Sequence, residues 1–297
     1  MTFLRRGGAA SRLAPNERAA LQRVLATPTL ELIPLRNVND QVAALPRRAT
    51  VSVTASPAKG IEATIELAIE LEAQGFRAIP HLSARMIRDR AHLRGLLDRL
   101  AKAGIIRAFV VGGDAEEPGA YTDGLSLLRA MADLGNGPRE IGIPCYPQGH
   151  ASIPDAALLG ALRDKTPFAA YMTTQLCFDP RAIAEFVAAR RAEGNALPVK
   201  IGIPGVAEVT RLLAISTRIG VRDTGRFLSK NVRFVSQLVT SGGIYRPTGL
   251  LEKLAPLIAD PAAGVADLHV YTFNQVASTE IWRREYVAAL VAHAASR

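Results

Sequence analysis

The feature that most constrains this chain is a regular alternation of short apolar runs with longer segments of helical periodicity. Several runs are apolar at nearly every position, which is typical of strands buried on both faces of a parallel sheet. Eight repeats of strand and helix predict an α/β fold, the (β/α)₈ TIM barrel. An open doubly wound sheet is the alternative, but the chain has no early G-x-G-x-x-G fingerprint to support it. The predicted strands are Thr29–Pro34, Thr50–Thr54, Phe76–Ser83, Ala108–Gly113, Glu140–Tyr146, Ala169–Gln175, Pro198–Gly205 and Ala266–Asn274.

Segments with apolar residues three and four positions apart lie between these runs and predict helices. Gly75 follows one of them as a predicted C-cap, and Pro15 opens an additional helix before the first strand. The long interval between the seventh and eighth strands is predicted to hold extra helices. The predicted helices are Pro15–Ala26, Ile61–Gln74, Ala91–Ala103, Leu125–Leu134, Asp155–Leu162, Arg181–Glu193, Val206–Ile219, Gly225–Thr240, Thr248–Ala259 and Ala277–Ala292.

A single catalytic domain is expected, because no linker, solenoid repeat or low-complexity tract divides the chain. Residues 1–27 are predicted to form an N-terminal extension packed on the barrel, and residues 28–297 to form the barrel itself.

The chain of 297 residues has a net charge of +9, with 36 Lys and Arg residues against 27 Asp and Glu residues. This excess makes an anionic partner the first expectation. The basic residues are dispersed, without a run of basic and aromatic residues, so we expect small anionic ligands rather than nucleic acid. No apolar stretch approaches the roughly 20 residues of a membrane-spanning helix, and Met1–Leu13 lacks the apolar core of a signal peptide. A soluble cytoplasmic protein is expected.

Seven of the eight predicted strands end in polar residues. Active sites of this barrel class lie at the carboxyl ends of the strands, so these residues predict a polar pocket and favour an enzyme. They are Glu31, Thr54, His81, Ser83, Asp114, Tyr146, Gln148, His150, Thr174, Gln175, Tyr271, Thr272 and Asn274.

Each of these residues also has a structural interpretation. Glu31 could pair with an arginine inside the barrel, and Asp114 could cap the next helix or form an Asx turn. His81 and His150 fit hydrogen-bonded loop or core histidines better than metal ligands, because no third ligand follows at a metal-binding spacing. No metal site is therefore predicted. Cys145 has no activating base nearby in the sequence and is interpreted as an inert strand residue.

The strand-end segments, taken in order, resemble those of methylenetetrahydrofolate reductases from about Leu30 to Tyr286. Single segments are unspecific, but the ordered set is specific, above all Tyr-Pro-x-Gly-His, Thr-Gln-x-x-Phe-Asp and His-x-Tyr-Thr-x-Asn. The segments are LELIP, SVT, PHLS, GGD, CYPQGH, TTQLCFD, IPG and LHVYTFN.

The resemblance implies a (β/α)₈ barrel that holds FAD and uses NADH or NADPH to reduce 5,10-methylenetetrahydrofolate to 5-methyltetrahydrofolate. The hydride would pass through the flavin, and the reaction could also run in reverse. Glu31 matches the general acid that protonates the folate as its methylene bridge opens. Asp114 matches a carboxylate that binds the pterin and lies near the flavin, and Gln175 and Tyr271 match substrate-binding positions. Residues that match flavin contacts are Thr54, His81, Gly113, Asp114, Tyr146, His150, Arg163 and Lys165, the last two as diphosphate or ribose partners.

The chain departs from the family pattern mainly at cofactor contacts. Gly112 replaces an arginine that commonly faces the flavin, Gln148 replaces a glutamate, and Gln275 replaces an arginine. Thr166–Ala169 replaces an alanine-glycine-alanine stretch beside the expected diphosphate loop. The aromatic residue expected after the seventh strand aligns best with Ile215. These changes lead to the hypothesis that FAD is bound weakly or unusually.

Two alternatives to a methylenetetrahydrofolate reductase remain open at this point. One is another folate-linked one-carbon oxidoreductase on the same barrel. The other is a non-catalytic binder of anionic partners, for which the net charge is the argument.

Overall fold

Eight parallel strands form a closed barrel in the computed structural model, which describes residues 13–210, 212 and 243–292. Each strand pairs with its sequence neighbours, and the first pairs with the last through Thr29 opposite His269. The predicted (β/α)₈ class is therefore confirmed. The strands are β1 (Thr29–Leu32), β2 (Thr50–Val53), β3 (Arg77–Ser83), β4 (Arg107–Val111), β5 (Glu140–Cys145), β6 (Tyr171–Thr174), β7 (Val199–Pro204) and β8 (Val265–Tyr271).

Helices follow the strands and cover the outside of the barrel. Asp89 and Asp123 begin two of them as N-caps, because their carboxylates accept hydrogen bonds from backbone N–H groups of the first turn. The predicted cap at Gly75 is also present, with a φ of 85° just past its helix. The helices are α1 (Pro15–Ala26), α2 (Val38–Ala43), α3 (Gly60–Ala73), α4 (Arg90–Lys102), α5 (Gly124–Leu134), α6 (Asp155–Lys165), α7 (Pro180–Ala192), α8 (Thr248–Ala259) and α9 (Val276–Ala292).

The strand residues divide between two packing environments, as the period of two requires. Residues such as Leu30 and Val51 are buried in the large core beneath the helices. Ile79, Phe109 and Tyr171 form a separate apolar cluster, which occupies part of the interior of the barrel. Because this interior is packed, a ligand can enter the barrel only at its ends.

Helix α1, in the segment predicted as an N-terminal extension, packs against α8, α9 and β8. Leu21 and Leu25 are fully buried there. The Arg23 guanidinium donates to the backbone carbonyls of Val265 and Ala266, where β8 begins. This helix therefore supports the strand that closes the barrel.

Some boundaries differ from the prediction. Helix α2 was not predicted, since it is short and has no buried residue. The predicted helix Val206–Ile219 is wrong at its start, because Ala207–Glu208 forms a short antiparallel strand with Ile244–Tyr245. The prediction for 225–240 and the alignment of Ile215 lie outside the described residues. None of the helices within the described ranges combines the length and apolar character that a membrane crossing requires.

A pair of glycine substitutions tests the close packing of the barrel wall. A Cβ on Gly202 in β7 would lie 2.2 Å from the carbonyl oxygen of Thr174, whereas a Cβ on Gly95 in α4 meets nothing within 4 Å. Gly202→Ala should lower the free energy of unfolding by about 1–3 kcal/mol through overpacking. Gly95→Ala should raise it by about 0.5–1 kcal/mol, because alanine favours helix. Denaturant unfolding measures both, and equal stability of the two variants would contradict the packing described.

Candidate active site

A cavity of about 320 Å³ lies at the carboxyl ends of the strands, where the sequence predicts a polar pocket. This volume is near the lower end of the range for small-molecule sites. A groove of about 710 Å³ between α2 and the end of α3 is larger, but it contains none of the strand-end residues. The residues that line the smaller cavity are Glu31, Ile33, Thr54, Ala55, His81, Phe109, Val111, Pro144, Tyr146, Thr173, Gln175, His269, Tyr271 and Phe273.

The side-chain carboxyl group of Glu31 on β1 faces inward, and 8% of the residue's surface is exposed. Its Oε2 lies 3.1 Å from Nε2 of His269 on β8. The alternative to a catalytic role for Glu31 was an ion pair with an arginine inside the barrel. Its observed partner is a histidine. Glu31 therefore lies at the cavity with one carboxylate oxygen held by the neighbouring strand.

His81 on β3 lies on the same wall and is hydrogen-bonded to a neighbouring strand. Its Nε2 lies 2.7 Å from Oγ of Ser52. Burial, together with the nearby His269, lowers the pKa of His81 to about 3. The imidazole is therefore neutral near pH 7 and offers hydrogen bonding without charge.

Aromatic rings form much of the remaining wall. The Tyr271 hydroxyl donates to the carbonyl of Thr174 at 3.1 Å, so this tyrosine presents its ring to the cavity. Burial raises the pKa of Tyr271 well above its usual value and raises that of Tyr146 to about 12, so both phenols are neutral near pH 7. With Phe109 and Phe273, these rings form walls suited to a planar heterocycle.

Two further polar side chains can contact a ligand. The Thr173 hydroxyl is buried and has no hydrogen-bond partner among the described residues. An unpartnered buried hydroxyl costs free energy, and a ligand atom can provide the missing hydrogen bond. Gln175 accepts a hydrogen bond from the N–H of Leu176 through Oε1, so its NH₂ group is the part it can offer.

The other predicted site residues lie outside the lining of this cavity. Gly113 and Asp114 are exposed just after β4. Gly113 has a φ of 87°, and a Cβ there would lie 1.9 Å from Ser83 Oγ, so only glycine fits. Asp123, and not Asp114, caps the next helix. The alternative in which Asp114 caps that helix is therefore wrong. His150 packs edge-on against Tyr146, with 5.8 Å between the ring centroids.

The two predicted diphosphate partners belong to α6, which extends three residues beyond its predicted end. Lys165 is buried beside the start of α5, where its Cδ would lie 3.7 Å from a Cβ built on Gly124. Burial lowers the pKa of Lys165. Arg163 lines a separate groove between α6 and the end of α7, together with Glu193. The structure does not bring either cation into the cavity.

Sequence reasoning missed His269, Phe109 and Thr173 as cavity residues. Each is separated by two positions from a neighbour that also faces the interior, such as Tyr271 for His269 and Tyr171 for Thr173. The alternation of strand side chains could have identified them, once the predicted strand ends were fixed to within one residue.

Comparisons with known proteins add a family match. A model of the methylenetetrahydrofolate reductase family matches residues 34–284. Among solved structures, a Burkholderia cenocepacia J2315 protein provisionally described as a lyase/mutase is 15% identical, with 93% of this chain and 87% of that chain covered and a TM-score of 0.45. A protein from the same organism, provisionally described as a phosphonomutase, is 15% identical, with 92% and 96% covered and a TM-score of 0.43. The two structural similarities carry no argument about the reaction.

The two cysteines provide a test of the burial around the site. Burial raises the pKa of the Cys145 and Cys177 thiols to about 12. A thiol with that pKa is about 10⁻⁴ thiolate at pH 8, and the thiolate is the reactive form. We expect neither cysteine of the folded protein to react with a thiol reagent at pH 8 within minutes, and both to react in denaturant. Rapid labelling of Cys145 in the folded protein would contradict its interpretation as an inert strand residue.

Proposed function

The chain belongs to the methylenetetrahydrofolate reductase family, and we propose that it uses NADH or NADPH to reduce 5,10-methylenetetrahydrofolate to 5-methyltetrahydrofolate. Family membership indicates folate-linked one-carbon reductase chemistry. The particular substrate, the nicotinamide donor and the residue roles are our proposal. The observation that carries it is a buried carboxylic acid at the end of a barrel strand, inside a cavity with aromatic walls.

The proposed reaction requires one proton and one hydride. The substrate carries a methylene group bridged between two nitrogens. Protonation of one nitrogen opens the bridge, and the other nitrogen becomes an iminium whose methylene carbon accepts the hydride. NAD(P)H gives the hydride and becomes NAD(P)⁺, and the product carries a methyl group. The reaction therefore needs an acid beside the bridge, and we assign that role to Glu31.

The remaining residues are assigned to binding and protection. We assign pterin recognition to Gln175 and to Asp114, whose carboxylate can accept paired hydrogen bonds from amino and ring N–H groups. Asp114 is exposed after β4, so its contact with the pterin would form at the rim of the cavity. Tyr271 and Phe109 would pack against the bound rings and exclude water, which would otherwise hydrolyse the iminium.

A flavin fits this structure only in part. The aromatic walls suit a planar ring, and Thr54, His81 and Tyr146 lie where they could contact it. FAD also carries a diphosphate, which needs cations or N–H groups. No lysine or arginine is among the described residues that line the cavity. The described residues of this cavity therefore suit the ring of the cofactor but offer no cation to its diphosphate.

Substitution of the proposed acid tests this function. Glu31→Gln keeps the size of the side chain but cannot donate a proton as an acid, so folate-dependent NAD(P)H oxidation should fall by about 10²–10⁴-fold. Folate affinity, measured separately by equilibrium binding, should change little. NAD(P)H affinity, measured in the same way, should also change little. Loss of both affinities would mean that Glu31 has a structural role.

The flavin hypothesis has its own test. The two predicted cationic contacts, Arg163 and Lys165, lie outside the cavity. A hydrogen bond to a charged group contributes about 1.5–3 kcal/mol. The affinity for FAD should therefore be at least about tenfold below that of a site with such a contact. The purified protein should therefore carry less than one equivalent of FAD by its visible absorbance. A stoichiometric FAD that survives gel filtration would contradict the hypothesis and leave the proposed acid unaffected.

A further inference from the structure

The contact between Glu31 and His269 bears on the orientation of the Glu31 carboxylate. Both residues are buried, with 8% and 4% of their surfaces exposed, and they join the first and last strands of the barrel. Oε2 of Glu31 lies 3.1 Å from Nε2 of His269. Oε1 of Glu31 has no hydrogen-bond partner among the described residues. The two carboxylate oxygens are therefore inequivalent.

The main chain around Glu31 is also held by β8 and the loop after it. The Thr272 hydroxyl donates to the backbone carbonyl of Glu31. Asn274 accepts from the Ile33 N–H and donates to the Ile33 carbonyl, at 2.9 Å in each case. These bonds fix the backbone of Glu31 but leave its side-chain torsions free. His269 is the described residue that restrains the carboxylate itself.

Neighbouring rings restrain His269 in turn. Its ring centroid lies 4.8 Å from that of Tyr271 and 6.4 Å from that of Phe109. Phe109 lies 4.9 Å from His81, which is itself hydrogen-bonded to Ser52. Packing on two sides limits the rotation of the imidazole. A ring held in this way can hold the carboxylate in one orientation.

We propose that His269 is the positioning residue of the acid: it holds Oε2 of Glu31 so that Oε1 is the oxygen presented to the substrate. The inference rests on the proposed function, which requires a proton at a defined point in the cavity. A carboxylic acid free to rotate would place its proton correctly in only a fraction of encounters. Misplacement of a reacting group by about 1 Å can cost about 10²-fold in rate.

Two substitutions of His269 separate positioning from packing. His269→Phe keeps a ring but removes the hydrogen bond, and kcat should fall by about 10–10²-fold while KM for folate and for NAD(P)H stays within about threefold. His269→Gln can place an N–H where Nε2 lies, since the same number of bonds separates each nitrogen from Cβ. We expect it to recover kcat to within about fivefold of the wild-type value, because the hydrogen bond is restored.

The chain offers a matched control on α4. His92 also contacts a carboxylate, with Nε2 3.0 Å from Oε1 of Glu62, but this pair lies outside the barrel interior. His92→Gln should therefore leave kcat and KM unchanged. A comparable loss of kcat in His92→Gln would show that replacing any histidine that contacts a carboxylate slows the enzyme, and it would overturn the inference.

A spectroscopic measurement tests the contact without turnover. The protein contains five histidines, and side-chain ¹⁵N resonances of ¹⁵N-histidine-labelled protein can be assigned by single substitutions. The resonance lost in His269→Gln should be the one that shifts most when Glu31 is replaced by glutamine. A resonance that does not shift would overturn the contact. This comparison remains valid even if His269→Phe does not fold.

The outcomes distinguish this inference from the proposed function. A wild-type protein that does not turn over methylenetetrahydrofolate overturns the proposed function and, with it, the acid role of the pair. An active wild type whose His269→Phe variant keeps full kcat overturns only the positioning role. A His269→Gln variant as slow as His269→Phe, or a rise in KM with unchanged kcat, would also overturn it.

Discussion

The pairing of β1 with β8 is the interaction on which the rest of the site depends. It closes the barrel through Thr29 and His269, and within two residues of that pair it brings Glu31 against the histidine. Helix α1 supports the same junction through Arg23. The side chains at this junction differ from the apolar filling typical of barrel interiors, since a carboxylic acid and an imidazole are buried together. Even a buried pair of such groups carries a desolvation cost that their attraction can fail to repay, which favours a role for them in a reaction.

Much of the fold was predictable because its periodicity is strong. The eight strands and helix α1 follow directly from apolar runs and spacing, and Gly75 marks a helix end by its preference for a positive φ. Helix α2 could not be predicted, because a short helix without a buried face leaves no periodic signal. The strand at Ala207–Glu208 depends on a partner distant in sequence, and local pattern does not encode such pairing. In the site, Glu31 and Gln175 were identifiable as polar residues at strand ends. Strand alternation could have placed His269 in the cavity, but its contact with Glu31 could not be predicted, since it depends on the register between β1 and β8.

Part of the positive charge has a structural role. No lysine or arginine lines the cavity among the described residues, so the net charge of +9 does not act as a local anion site there. Several arginines instead stabilise the fold. Arg191 donates to the carbonyls of Ala263, Asn195 and Leu197, and Arg283 pairs with Glu280 and donates to Leu25. Arginine suits this role because its several N–H groups can satisfy carbonyls at helix and loop ends. The cavity favours a reductase over a non-catalytic anion binder.

We propose that this cavity converts 5,10-methylenetetrahydrofolate to 5-methyltetrahydrofolate. The most direct test is to incubate the wild-type protein with that substrate and NADH or NADPH and to identify the product by mass spectrometry, with Glu31→Gln as the paired reaction. The account predicts 5-methyltetrahydrofolate in amounts equal to the NAD(P)H consumed by the wild type, and a loss of about 10²-fold or more in the variant. Failure to form this product with either nucleotide, whether or not FAD is added, would contradict the account.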